Sequence, residues 1–170
     1  LDTNSFKFRD GDGIKFIAQL SRSQQLLFIT SEGRSFSLSL EQLKKDKGYG
    51  EPLNLMIGTG NVTSIVSILP FHHEGKGLIF SKKGLGFAID FSSLQSSTKV
   101  GKQIFELSEG DEVIGLQEIT GDNVIVLSTS FKMLIFSVKE LPLLKKGKGV
   151  RLQRYKQEAL LDVMLFSQNE

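Results

Sequence analysis

The stretch Leu26-Leu27-Phe28-Ile29-Thr30-Ser31-Glu32-Gly33-Arg34-Ser35-Phe36-Ser37-Leu38-Ser39-Leu40 decides the fold. Leu26 to Thr30 is a dense β-rich run, and Ser31-Glu32-Gly33-Arg34 has the composition of a tight turn. Beyond it Phe36, Leu38 and Leu40 alternate with Ser35, Ser37 and Ser39. A period of two sends the apolar side chains to one face of a strand and the serines to the other. The stretch therefore predicts two strands joined by a turn, with one face buried.

The same arrangement returns twice. Leu78 to Ser81 leads through Lys82-Lys83-Gly84-Leu85 to an alternation of Phe87, Ile89 and Phe91. Val124 to Ser128 leads through Thr129-Ser130-Phe131-Lys132 to Leu134, Phe136 and Val138. A polar turn and a short apolar strand open each copy, at Gly11-Asp12-Gly13-Ile14, Gly60-Asn61-Val62 and Gly110-Asp111-Glu112-Val113. After the alternating strand comes a leucine (Leu43, Leu94, Leu141) and then a loop rich in Lys and Gly. Each loop ends at a glycine before another short strand: Gly50 before Leu53 and Leu55, Gly101 before Ile104 and Leu107, Gly149 before Val150 and Leu152. These glycines are 51 and 48 residues apart.

Working outward, the repeats run over 12–60, 61–110 and 111–156, with partial copies at 1–11 and 157–170. Phe6-Lys7-Phe8-Arg9 reads as the closing strand of a preceding copy and Leu160 to Phe166 as the opening strand of a following one. No helical periodicity is sustained; Leu40 to Lys45 and Val138 to Leu144 suit a single turn each. About four strands in a period near fifty residues describe a propeller blade rather than a helical repeat. One blade has too little core to stand alone, so blades stack, and the ends of an array present apolar edges. A β-sandwich of about a dozen strands is the alternative, but it gives no reason for the threefold register.

The 170 residues suit one domain or a short array, and the 39% hydrophobic content with 17 Gly supports a packed core. There are 13 Phe, no Trp and no Cys, so disulfides and thiolate metal sites are excluded. No apolar run approaches the roughly 18 residues of a spanning helix, and no signal peptide opens the chain. A cytoplasmic location fits, and the opening Leu1 reads as the start of a piece of something longer.

The net charge of +2 is unevenly spread. From Phe131 to Lys156 eight basic residues face one acid, Glu140, a net +7. From Gln103 to Ser130 there are six acids (Glu106, Glu109, Asp111, Glu112, Glu118, Asp122) and no Lys or Arg. Such asymmetry suits a polyanion-binding surface, although solubilising charge gives the same count.

Catalytic signals fail. Adjacent His72 and His73 in a strand point to opposite faces and share a metal poorly; beside Glu74 they read as an exposed loop. Asp10-Gly11-Asp12-Gly13 opens like a calcium loop, but Ile14 and Lys15 stand where that motif needs other residues. Phosphate-binding glycine motifs and a nucleophile elbow are missing. Asn61-Val62-Thr63 matches a glycosylation sequon only formally. No cofactor or metal is expected in this chain.

Two stretches resemble a known family. Glu32-Gly33-Arg34-Ser35-Phe36 followed by Gly48-Tyr49-Gly50-Glu51-Pro52-Leu53 is similar to one blade of the C-terminal domain of topoisomerase IV A subunits. Leu141-Pro142-Leu143-Leu144-Lys145-Lys146-Gly147-Lys148-Gly149-Val150 is similar to a later blade. The resemblance runs across nearly the whole chain. It implies an all-β pinwheel, a propeller-like partial ring whose blades exchange a strand and whose basic outer rim binds and bends double-stranded DNA. The related gyrase A subunit wraps DNA through a Gln-Arg-Arg-Gly-Gly-Lys-Gly box; here only Lys145 to Gly149 keeps its Gly-Lys-Gly portion. Topoisomerase IV is favoured, with the gyrase module and a protein-interaction propeller as alternatives. The family cleaves DNA with a tyrosine of another domain, so neither Tyr49 nor Tyr155 is assigned as nucleophile. The resemblance further implies an intact enzyme with an A-subunit dimer and two B subunits, with ATP and magnesium bound elsewhere and this chain monomeric alone.

Within that reading the recurring loops supply the cations: Lys44, Lys45 and Lys47 in the first copy, Lys82, Lys83, Lys99 and Lys102 in the second, and Lys132, Lys145, Lys146, Lys148, Arg151 and Arg154 in the third. Neutralised phosphates account for most nonspecific DNA affinity. Nothing resembles a base-reading helix or zinc finger.

Overall fold

The computed structural model describes residues 7–17, 19–21, 23–43, 52–58 and 64–167. Phe6, Lys44, Lys45, Lys47, the stretch 48–51 and Gly60-Asn61-Val62 lie outside the described residues. The three repeats give three antiparallel hairpins: β1 (Gln25–Thr30) with β2 (Arg34–Ser39), β4 (Lys76–Ser81) with β5 (Leu85–Asp90), and β8 (Asn123–Ser128) with β9 (Met133–Ser137). The first two turns contain three residues and the third contains four, with the third residue of each in the left-handed region: Gly33 at φ 76°, Gly84 at 78° and Phe131 at 61°. A fully buried hydroxyl at the end of each first strand accepts the backbone N–H four residues on. Thr30 receives it from Arg34 at 3.3 Å, Ser81 from Leu85 at 3.3 Å and Ser128 from Lys132 at 3.1 Å. The polar ends of otherwise apolar strands are thereby satisfied.

A lone hairpin is marginal in water because both edges are open. Here the strands before and after the second and third hairpins leave them and clasp the preceding one. The opening strand β3 (Ile65–Pro70) pairs with β1, and the closing strand β6 (Lys102–Gln103) pairs with β2, giving the order β3-β1-β2-β6. Likewise β7 (Val113–Glu118) and β10 (Val150–Arg151) flank the second hairpin in the order β10-β5-β4-β7. β11 (Leu160–Phe166) pairs with β8 in a three-stranded sheet, β11-β8-β9. Successive sheets approach each other along β3, β7 and β11, the inner strands. β6 and β10 are outermost.

The core lies between the sheets. Leu27 and Ile29 of the first face Ile79, Phe87 and Ile89 of the second, with Phe105 sealing the layer 5.2 Å from the Phe87 ring. Leu78, Phe80 and Ala88 on the reverse of the second sheet meet Val124, Val126 and Val163 of the third. The second sheet is thus buried on both faces, which explains why Gly86 to Ile89 is a continuous buried run. The free face of the first sheet, with Phe28, Phe36 and Leu38, is covered by Leu53, Met56 and Ile57.

Three sequence expectations are corrected. Phe6-Lys7-Phe8-Arg9 was expected as a closing strand, but its described residues, Lys7-Phe8-Arg9, form no strand. Leu53 and Leu55 were expected in a strand, but Leu53–Met56 is a helical turn, α1, preceded by Pro52. Pro52 is the N-cap, in extended backbone, and Leu and Met are good helix formers. The turn places Leu53 and Met56 on the first sheet and leaves Leu55 74% exposed. Ile14 was expected to open a strand, yet no strand occurs in 7–17, and Ile14 and Ile17 are exposed. The opening strands β3, β7 and β11 each pair with the hairpin before them, and none precedes Ile14 among the described residues. The single turns expected after the alternating strands are present as 3-10 turns at Leu40–Gln42 and Val138–Glu140. The equivalent place in the second repeat is a short helix, α2 (Phe91–Leu94).

Candidate nucleic-acid interface

The best-defined cationic surface is the loop that carries the third repeat from α2's equivalent back across two sheets. Leaving Leu141, the chain pairs with the outer edge of β5: Ala88 donates to Pro142 O at 3.0 Å and Leu144 to Ala88 O at 2.9 Å. It then crosses to the first sheet, where Gly147 donates to Ile104 O at 3.1 Å and accepts from Glu106 N–H at 2.9 Å. At Gly149, φ 73°, it returns to β5; a Cβ there would lie 2.5 Å from Gly86 O. Only glycine permits that approach. The loop is therefore a pinned outer strap, and Lys145, Lys146 and Lys148 all stand exposed on it.

Arg151 on β10 and Arg154 just beyond it continue the exposed basic track. Both line an open groove of about 750 Å³ with Leu134, Leu152 and Gln153. Among the described residues, Lys145, Lys148, Arg151 and Arg154 have no carboxylate within ion-pair distance. Lys146 sits 3.3 Å from Glu106.

The second repeat reproduces part of this geometry. Gly101, φ 72°, closes on Ser35 and Phe36 as Gly149 closes on Gly86. Gly58 donates to Lys99 O at 2.6 Å, as Glu106 donates to Gly147 O. Lys99 thus occupies the strap position one blade earlier, exposed. Lys102 opens β6, but its ammonium donates to Ser93 O at 2.8 Å and ties the strand end to α2. Lys44, Lys45 and Lys47, the first-copy members of this series, lie outside the described residues.

The hairpin lysines are held differently. Lys82 pairs with Glu112 at 2.8 Å, and that hydrogen bond raises the lysine pKa above its ordinary value. The Lys83 backbone N–H donates to Asp111 at 2.9 Å, and its ammonium donates to Glu109 O. Lys132 pairs with Glu158, whose pKa is held below the usual carboxylate range first by that hydrogen bond and then by the Ser130 hydroxyl. These cations lie at the turn ends of the sheets rather than on the strap. The structure gathers Lys145, Lys146, Lys148, Arg151 and Arg154 along one outer track, with Lys99 and Lys102 one blade along. It places Lys82, Lys83 and Lys132 beside acids. Sequence reading missed Glu106, Glu112 and Glu158 as partners, because each reaches a lysine of a neighbouring repeat. The acid-rich span 103–130 signalled Glu106 and Glu112; nothing in it signalled Glu158.

Among the described residues there is no cluster of metal-ligating side chains. His73 stacks edge-on against Phe71 at 4.8 Å.

Known proteins share this architecture. Residues 24–49, 78–119 and 122–167 match the family described as DNA gyrase C-terminal domain, beta-propeller. The chain is 36% identical over 169 residues to the A subunit of DNA topoisomerase 4 from Rickettsia bellii, covering 99% of this chain and 23% of that protein. It is 32% identical over 166 residues to the Caulobacter vibrioides protein of the same name, covering 98% and 22%. The chain thus spans less than a quarter of these relatives. The Escherichia coli ParC C-terminal domain superposes with a TM-score of 0.84 at 25% identity, over 96% of this chain and 70% of that one. A DNA gyrase A C-terminal domain superposes with a TM-score of 0.69 at 19% identity, over 94% and 53%. With three matched segments, each holding one of the three hairpins in whole or in part, the chain belongs to the gyrase C-terminal-domain family of β-propeller domains.

Proposed function

We propose that the chain is the noncatalytic DNA-binding and DNA-bending module of a topoisomerase IV A subunit, guiding duplex segments for decatenation and supercoil relaxation. The carrying observation is the exposed track of Lys145, Lys148, Arg151 and Arg154 on the outermost strap and strand, free of ion pairs among the described residues. A series of cations on one face neutralises phosphates on one side of a duplex and favours its curvature toward the protein. Nothing on the strap reads base edges, so the contacts position DNA without specifying sequence.

Similarity to A subunits of DNA topoisomerase 4 over nearly the whole chain supports this assignment. In it, the chain acts within a cytoplasmic, ATP- and magnesium-dependent enzyme built on an A-subunit dimer with B subunits. The gyrase reading is less favoured: the superposition is poorer, and the full wrapping box does not occur in the sequence.

Neutralising Lys145, Lys146, Lys148 and Arg151 together is expected to weaken binding to all linear duplexes alike. The slope of log affinity against log salt should fall by about 0.9 per lost phosphate contact. Fluorescence anisotropy at several salt concentrations measures both quantities. Unchanged affinity at low salt would reject the track, and no duplex binding by the unmodified chain would favour a protein-interaction propeller.

A further inference from the structure

Three cations singled out by sequence are held by a carboxylate from an adjacent repeat. Lys82 follows β4, and Glu112 leads into β7, which pairs with β4. Lys132 follows the third turn, and Glu158 leads into β11, which pairs with β8. Lys146 lies on the strap, and Glu106 follows β6 on the sheet it crosses. The first two pairs share a construction: the acid precedes the opening strand that clasps the lysine's own hairpin. In all three the lysine side chain is at least half exposed, at 53%, 67% and 50%. Each ammonium is therefore within reach of an incoming phosphate while already holding an anion.

We propose that Glu106, Glu112 and Glu158 act as internal stand-ins for DNA phosphate and set the affinity of the module by competing for Lys146, Lys82 and Lys132. This rests on the DNA-binding reading above. An exposed lysine–carboxylate pair is weak, so a phosphate of the duplex, backed by the dense charge of its neighbours, displaces the carboxylate. The freed carboxylate then takes up a cation from solution. Each exchanged contact consequently releases fewer ions overall than a contact made by an unpaired lysine. The pairs keep binding shallow in both affinity and salt dependence, while Lys145, Lys148, Arg151 and Arg154 make the first contacts. Such a surface holds a duplex without trapping it.

The test compares the unmodified chain with Glu106→Gln, Glu112→Gln and Glu158→Gln, singly and together, by anisotropy with a linear duplex across a salt series. Each single change is expected to tighten binding about two- to fivefold. The triple variant should bind more tightly still, with a steeper salt slope. Glu118→Gln, which removes an exposed acid with no lysine partner among the described residues, should change affinity less and leave the slope unaltered. In a Lys82→Met background, Glu112→Gln should have no effect. Thermal melting of every variant monitors folding.

If the unmodified chain binds and the triple variant neither tightens nor steepens, the competition is refuted while the DNA-binding reading stands. A gain from Glu112→Gln that persists without Lys82 would also refute it, by showing general repulsion instead. If no form binds duplex at low salt, both readings fall.

Discussion

At the scale of the residue, Phe131 shows how a repeated backbone constrains side chains unequally. Gly33 and Gly84 hold the last turn position at φ near 77°, and neither could carry a Cβ: it would lie 2.7 Å from Phe105 or 2.2 Å from the Tyr155 ring. Phe131 takes the same backbone conformation at 61° with its ring 78% exposed. A left-handed conformation costs a non-glycine residue about 1–2 kcal/mol, and glycine costs about 0.5–1 kcal/mol more unfolded-state entropy. Phe131→Gly should therefore stabilise the chain by roughly 0.5–1 kcal/mol, measurable as a raised urea midpoint. A lower midpoint would mean that the exposed ring contributes packing. The three turns were legible from their polar composition. The exchange of Gly for Phe was visible too, but its cost was not, because only the observed φ separates a strained phenylalanine from a relaxed one.

At the scale of the element, legibility followed how local the determining contacts are. The hairpins were readable because both strands and the turn lie within about 15 consecutive residues. The strand expected at Leu53 and Leu55 was not formed: apolar residues two apart suggest a strand, whereas Leu53 and Met56, three apart, are the pair that packs. The opening strands were readable as apolar runs, but whether one forms depends on a hairpin elsewhere, as Ile14 shows. The strap is the element on which the proposed interface depends, and Gly149 is its hinge to β5. Gly149→Ala is expected to cost about 2 kcal/mol or more, since the left-handed φ and the approach to Gly86 O both oppose a methyl. Gly147→Ala, next to open space apart from the Leu144 side chain, should cost less. Denaturation of the two variants checks this, and equal losses would show that the Gly149 approach does not constrain the strap.

At the scale of the whole molecule, the repeat period revealed an array of blades, and the structure shows that each repeat divides its strands between two of them. That division, seen in the second and third repeats, was not legible from the residues themselves, because β3 and β7 carry the same alternation whichever hairpin they join. The three acid–lysine pairs were hidden for the same reason. Burial is uneven across the array. The second sheet is covered on both faces and paired on both outer strands of its hairpin, whereas β9 pairs only with β8, with Met133 69% and Ile135 58% exposed. Hydrogen exchange should therefore be slowest in β4 and β5 and faster in β9, by the logic that protection tracks local contact density. Uniform protection would show that the sheets open as one cooperative unit.

The clasping of each hairpin by later strands also means that covalent continuity and structural integrity are separable. A backbone cut in the surface loop 119–122 would leave β7 on one fragment and β10 on the other, yet both remain stitched to the second hairpin, one along each side. The two halves are spliced like strands of rope, by overlap rather than by a single joint.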